Sequence, residues 1–228
     1  MHTRKDFLAV ASLAALAPQI AAAAPAPQPA ADLHEVLPKL HFDVAAFDAT
    51  LSKAAAHRHL FSAAPLDGGT IFVAIRNTLD AYRDFLDVGY DRILPAAVLY
   101  HGVSIALGFN DAAWNELFLP AMASYPPAVR AAFAAARRGG GNPYLHAREP
   151  HDWSLESLVA DCGLRTYICN NAMRSFATSA AKTLHTTPSA AYAKLTANLA
   201  TNAMVVPAGV WAIHALQERH FTLLETSV

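Results

Sequence analysis

The chain has 228 residues, 54% of them hydrophobic and 15% charged, with a formal net charge of −1 at pH 7. Its mean hydropathy of +0.23 is high for a domain of this length, and implies a sizeable core plus apolar surface available for an interface between copies. The near-neutral charge, with no Lys/Arg cluster interleaved with aromatics, removes the electrostatic case for nucleic acid or an anionic membrane surface as partner.

Residues 1–23 read as an export signal. Thr3-Arg4-Lys5-Asp6-Phe7-Leu8 gives a charged start, Phe7 to Ala24 is mostly Ala, Leu, Val and Ile, and small residues close the segment. Arg4-Lys5-x-Phe7-Leu8 looks like a twin-arginine signal with lysine in the second arginine position, so the general secretory (Sec) route stays open beside it. Cleavage is expected near Ala23. Residues 24–40 form a linker and extension, Pro-rich over 24–32 and unable to pack there. The expected location is periplasmic or secreted, with no membrane span once the signal is removed, because the apolar part is short and alanine-rich.

Residues 41–228 are expected to form one domain. A helical stretch over Asp43–Ala56 precedes a first strand at His59–Ser62. Gly69 to Leu86 carries Ile71, Ile75, Leu79, Tyr82 and Leu86 at helical spacing. Ile93 to Tyr100 is uninterruptedly apolar, as a buried strand is. Ser104 to Phe118 opens a second helical region. Residues 120–152 contain Pro126-Pro127, Arg137-Arg138 and Gly139-Gly140-Gly141 and read as an irregular insertion with one short Ala-rich helix. A helix capped by Ser154 runs to Cys162, a strand covers Leu164–Cys169, and helices cover Met173–Ala181 and Ser189–Leu199. Ala203–Val206 is a short strand, Ala208–Glu218 a helix, and Phe221–Leu224 a last strand. Strands alternating with helices, and lacking polar alternation, predict an α/β fold: a single-domain parallel sheet with helices on both faces.

The two cysteines, Cys162 and Cys169, first suggest a disulfide in an exported protein. The extended path between them separates the Cα atoms by about 20 Å at roughly 3.3 Å per residue, and a disulfide needs less than about 7 Å. Cys162 reads as a buried structural thiol. Cys169 ends a strand and is followed by Asn170 and Asn171, both favoured as helix caps. That order sets a thiol beside the first free N–H groups of a helix, where a thiolate is stabilised.

Open parallel sheets bind ligands at the carboxyl ends of their strands. Three such ends stand out: Tyr100-His101-Gly102, Cys169-Asn170-Asn171 and Pro207-Ala208-Gly209. Cys169 is the candidate nucleophile, and His101 is its candidate proton acceptor or cationic partner. Gly102 and Gly209 would admit a ligand close to the backbone, Pro207 would suit the first turn of the next helix, and Asn170 or Asn171 would cap the helix after Cys169 and leave its N–H groups facing the thiolate. Each also has a purely structural reading: a small buried thiol, a loop histidine, ordinary caps and turn residues. His146 and His151, with Glu149 and Asp152, lack a fixed helical spacing, so no metal is expected. No glycine-rich phosphate loop and no G-x-S-x-G elbow is present, so no cofactor is expected.

The order His101-Gly102 after an apolar strand, Tyr167-Ile168-Cys169-Asn170-Asn171-Ala172-Met173, Val205-Val206-Pro207-Ala208-Gly209-Val210, then Leu216-Gln217 before a closing strand resembles the DsrE/DsrF-like proteins over roughly residues 55–226. The resemblance implies a flavodoxin-like sheet and homo-oligomers, often trimers or hexamers. In several members it also implies a cysteine carrying sulfane sulfur as a persulfide, at Cys169 by position, with a sulfur donor or acceptor protein as partner. The export signal and the 120–152 insertion depart from the pattern. Two classes follow: a sulfur carrier or sulfurtransferase working through Cys169, or a non-catalytic oligomeric binding or structural module of the same fold.

Overall fold

In the computed structural model the described residues are 37, 39–63, 69–125, 127, 129–131, 133, 140–146 and 153–226. They belong to one compact unit, Ala31–Val228. The export signal, the Pro-rich linker over 24–32, and Pro126, Arg137, Arg138, Gly139, Glu149, His151 and Asp152 of the insertion lie outside the described residues.

Helix α1 (Val44–Thr50) opens with Asp43 as cap, whose side chain accepts the Ala46 N–H. It is half the length expected from the sequence. Leu51 ends it, and Lys53 beyond it directs its ammonium at the carbonyls of Tyr90, Ile93 and Cys162. Strand β1 (His57–Ala63) follows, then α2 (Thr70–Leu86) and β2 (Ile93–Leu99). The helix expected over Ser104–Phe118 is instead a broken stretch of 3-10, α and wider π turns from Ser104 to Ser124. It is anchored by the Trp114 indole N–H donating to the Ala106 carbonyl. Helix α3 (Leu155–Cys162) is closed at its start by a reciprocal Ser154–Ser157 capping box and at its end by Gly163 at φ 73°, a left-handed turn that glycine adopts without strain. Strand β3 (Arg165–Cys169), α4 (Asn170–Thr183), α5 (Pro188–Ala197), β4 (Ala203–Val206), α6 (Gly209–Gln217) and β5 (Thr222–Glu225) complete the chain.

The five strands form one sheet in the order β4-β3-β2-β1-β5, and every pair is parallel. All seven residues of β2 are buried, as the continuous apolar run predicts for a strand near the middle of a doubly covered sheet. One face carries the larger core, where Phe61, Ile75, Phe109, Phe118, Met173 and Phe176 pack together. The other carries Phe47, Leu60, Val98, Tyr167, Ala212 and Leu216, contributed by α1, the sheet and α6. The expected α/β sheet with helices on both faces is present. The connections β1–β2, β2–β3 and β3–β4 cross the first face, and the return from β4 to β5 crosses the second through α6. A right-handed crossover moving in the reverse direction along the sheet must do so. No helix among the described residues is long and apolar enough to cross a membrane.

Candidate functional site

The three strand ends singled out in the sequence emerge side by side. Leu99 pairs with Ile168, and Cys169 with Val206, so the residues after β2, β3 and β4 leave one edge of the sheet together. After β3 the chain turns into α4, whose Met173 and Phe176 belong to the first-face core. After β4 it turns into α6, whose Ala212 and Leu216 belong to the second. Adjacent strands whose connections part to opposite faces leave a crevice between their carboxyl ends, the place where open α/β sheets hold ligands. Cys169 stands at that point.

Cys169 is itself the N-cap of α4, with extended φ −65° and ψ 116°, and its side chain accepts no capping hydrogen bond. The first-turn N–H groups of α4 therefore start beside a sulfur rather than a capping oxygen, at the positive end of a 14-residue helix. The expectation that the asparagines cap α4 is corrected. Asn170 is the first helical residue and is buried, and its Oδ1 accepts the Tyr192 hydroxyl of α5 at 2.6 Å. Asn171 is exposed in the first turn.

Cys169 is 5% exposed and Cys162 is buried too; both are free thiols. Cys162 ends α3, at the opposite edge of the sheet from Cys169, and its Sγ donates to the Leu158 carbonyl. Burial pushes the Cys162 thiol up to about 11, which makes it a poor nucleophile at neutral pH.

His101 is exposed in the turn after β2. Its backbone N–H is accepted by Ser104 Oγ at 3.1 Å, and the Ser104 hydroxyl lies 3.2 Å from the His101 carbonyl. Among the described residues no hydrogen bond joins its imidazole to Cys169. The two glycines differ. A Cβ at Gly102 would meet nothing within 4 Å, so the space beside it is open. A Cβ at Gly209 would lie 2.0 Å from the Cβ of Tyr100, so this glycine admits a side chain of the same chain rather than open space. Pro207 stands before the N-cap Ala208, not in the first turn of α6.

Tyr100, named in the sequence only as part of a strand end, has a role in the site that sequence reasoning did not assign. It packs against both cores, against the first residue of α6, and points its hydroxyl at Glu225 Oε1, 3.4 Å away. Burial and then the Glu225 charge push its pKa up. An aromatic residue ending a buried strand gives no signal that distinguishes this placement from ordinary core packing.

The histidine considered for a metal has another arrangement. His146 Nδ1 is 2.7 Å from Glu156 Oε2 and Nε2 is 3.2 Å from Asp111 Oδ2. Its pKa is raised, first by the Glu156 hydrogen bond and then by the one to Asp111. Both ring nitrogens are occupied, and among the described residues no group of three or more His, Cys, Asp or Glu side chains has the geometry to hold a metal ion. The clamp ties the 140–146 loop to α3 and to Asp111. The buried Asn142 reinforces it by donating to the Phe109 carbonyl at 2.7 Å and accepting the Tyr144 N–H at 2.9 Å.

Neither family models nor curated proteins give a match to this chain.

Proposed function

We propose that the chain is an exported DsrE/DsrF-like protein that holds sulfane sulfur on Cys169 as a persulfide and passes it on. The observation that carries this reading is the position of Cys169 at the N-terminus of α4, where β3 and β4 send the chain to opposite faces. In the exchange, the Cys169 thiolate attacks the outer sulfur of a donor persulfide. A new S–S bond forms on Cys169, the donor's S–S bond breaks, and its electron pair leaves with the donor thiolate. No net oxidation occurs, and the reverse step on an acceptor thiolate discharges the carrier. Negative charge stays on sulfur throughout, where the α4 N–H groups favour it. His101 serves as proton acceptor or cationic partner only if the turn after β2 swings toward the sulfur.

In this reading the signal over 1–23 sends the protein to the periplasm or outside the cell by the twin-arginine-like or the Sec route, and the resemblance implies a homo-oligomer, often a trimer or hexamer. One observation favours the second class, a non-catalytic oligomeric module: Cys169 is 5% exposed, with no hydrogen-bonded base among the described residues.

Incubation of the purified protein with polysulfide, followed by intact-mass and peptide mass spectrometry, separates the two. A gain of one sulfur atom on Cys169, removed by dithiothreitol and lost in Cys169→Ser, supports the carrier. No adduct, or an adduct confined to Cys162, sinks it.

A further inference from the structure

Strand β5 forms one edge of the sheet. It pairs with β1 alone, and its other side has no strand partner among the described residues. All four residues are exposed, Leu223 at 41% and Leu224 at 49%. Folded proteins usually blunt such an edge with proline, lysine, a bulge or a covering element, because its free N–H and C=O groups template another strand. Thr222-Leu223-Leu224-Glu225 has neither proline nor lysine. Among the described residues, four of the six exposed large hydrophobics, Phe85, Leu86, Leu223 and Leu224, lie on β5 or at the end of α2. The two stretches border one corner, since Tyr82 of α2 packs on His59, whose Nδ1 is 2.9 Å from Thr222 Oγ1.

We propose that this edge is a self-association surface, on which β5 pairs antiparallel with β5 of a second copy across a two-fold axis normal to the sheet. Geometry narrows the register. Residues directly opposite in an antiparallel pair point to the same face, and side chains alternate along the strand. The axis therefore passes beside Leu223 or beside Leu224, and charge decides between them. Leu223 pairs in register with Leu60, and Phe221 and Leu60 belong to the second-face core, so Phe221, Leu223 and Glu225 share that face. With Leu223 opposite its own copy, Glu225, whose Oε1 also lies 3.4 Å from the Tyr100 hydroxyl of its own chain, comes opposite Phe221 of the second copy, whose ring carries the Arg58 guanidinium 5.5 Å from its centroid. Symmetry makes the Glu225–Arg58 pairing twice. With Leu224 opposite its own copy, the same carboxylate would face Leu223. The first register holds.

A four-residue ladder alone falls short of the roughly 1,000 Å² that a stable interface buries. The corner of α2, with Phe85 at 85% exposure, supplies the remaining apolar surface. A two-fold edge also makes the assembly even-numbered, a dimer or a hexamer, and rules out a lone trimer. This inference is independent of any chemistry at Cys169.

The test uses the full chain. Sedimentation velocity is expected to give an even-numbered assembly that dissociates with Glu225→Arg and with Leu223→Lys, and that reforms when Arg58→Glu is added to Glu225→Arg. Under mild oxidation Leu223→Cys is expected to cross-link to itself, with the unsubstituted chain as control. Leu224→Cys is not, because its Cα would lie beyond the roughly 7 Å a disulfide spans. A chain that is monomeric at every concentration, an assembly unchanged by both edge variants, or cross-linking at 224 in place of 223 overturns the proposal. All of these substitutions fall on exposed or half-exposed positions, so circular dichroism showing an intact fold keeps each result readable.

Discussion

Cys169 and Val206 are register partners across the β3–β4 ladder, yet the chain leaves them toward opposite faces of the sheet. That divergence opens the crevice, and it puts the uncapped N-terminus of α4 at a sulfur. The same divergence brings Gly209, the first residue of α6, against Tyr100, the residue after β2. The thiol, the helix terminus and the aromatic residue are thus placed by one topological event, the reversal of direction after β4.

The two thiols are expected to differ sharply in reactivity although both are buried. Cys162 donates to the Leu158 carbonyl and is pushed up to about 11 by burial. Cys169 has a helix N-terminus beside it, and among the described residues no carbonyl accepts from its thiol. Alkylation of the native protein with iodoacetamide near neutral pH is expected to modify Cys169 first, and Cys162 only after unfolding in guanidinium. Peptide mapping of a time course checks this; labelling of Cys162 first would reverse the assignment of the reactive thiol.

Gly209 tests the contact with Tyr100. Gly209→Ala inserts a methyl group where the Tyr100 Cβ already stands, so overpacking of about 1–3 kcal/mol is expected. In a Tyr100→Ala background most of that cost is expected to persist, since the clash is with the Cβ that alanine keeps. Tyr100→Gly is expected to relieve it. Urea unfolding of the single and double variants measures the coupling, and equal costs of Gly209→Ala in all three backgrounds would show that Tyr100 is not the constraint.

What was legible in the sequence was whatever a short window decides. The run Ile93–Leu99 announces a strand covered on both faces. Ser154 before Leu155 announces a helix start, and Ala203–Val206 coincides with β4. What was not legible depends on partners far along the chain. Asparagine at a strand-to-helix junction serves equally as a cap or as a buried acceptor, and Tyr192, 22 residues on, settles which Asn170 is. The carboxylates that hold His146 lie 35 residues before it and 10 after it, with no spacing rule to join them. The helix expected through Ala56 stops at Thr50, and Lys53 has carbonyls of three separate segments to satisfy beyond it.

Lys53 is expected to matter more than a half-exposed lysine usually does. Its ammonium donates to the Ile93 and Cys162 carbonyls at 2.8 Å and to that of Tyr90 at 3.3 Å. Three donors meet three carbonyls, and burial lowers its pKa. Lys53→Met keeps the stem and removes every donor, and a loss of about 1.5–3 kcal/mol is expected, the range for hydrogen bonds to a charged group. Lys53→Arg is expected to recover little, because a planar fork cannot aim at three diverging carbonyls as a tetrahedral ammonium does. Denaturant unfolding of both variants checks this, and a Met variant as stable as the parent would make the three contacts incidental.

The His146 clamp gives stability a pH dependence whose sign is fixed. Its folded pKa is raised from the ordinary 6.5 by hydrogen bonds to Glu156 and Asp111, so the folded chain holds the proton more tightly than the unfolded one. The contribution is fully present below the unfolded value and is lost as pH rises through the folded one. All three side chains are more than a third exposed, so solvent screening limits the effect to under about 1 kcal/mol. His59 works in the opposite sense. Burial lowers its pKa, and it destabilises the fold as pH falls. The slope of the unmodified chain therefore mixes the two, and the difference from His146→Gln isolates the clamp. That difference in melting temperature is expected to be largest below the ordinary histidine value of about 6.5 and to shrink as pH rises through the raised folded value. It is also expected to diminish with added salt. A difference that grows with pH would mean that neutral His146, not its charge, holds the loop.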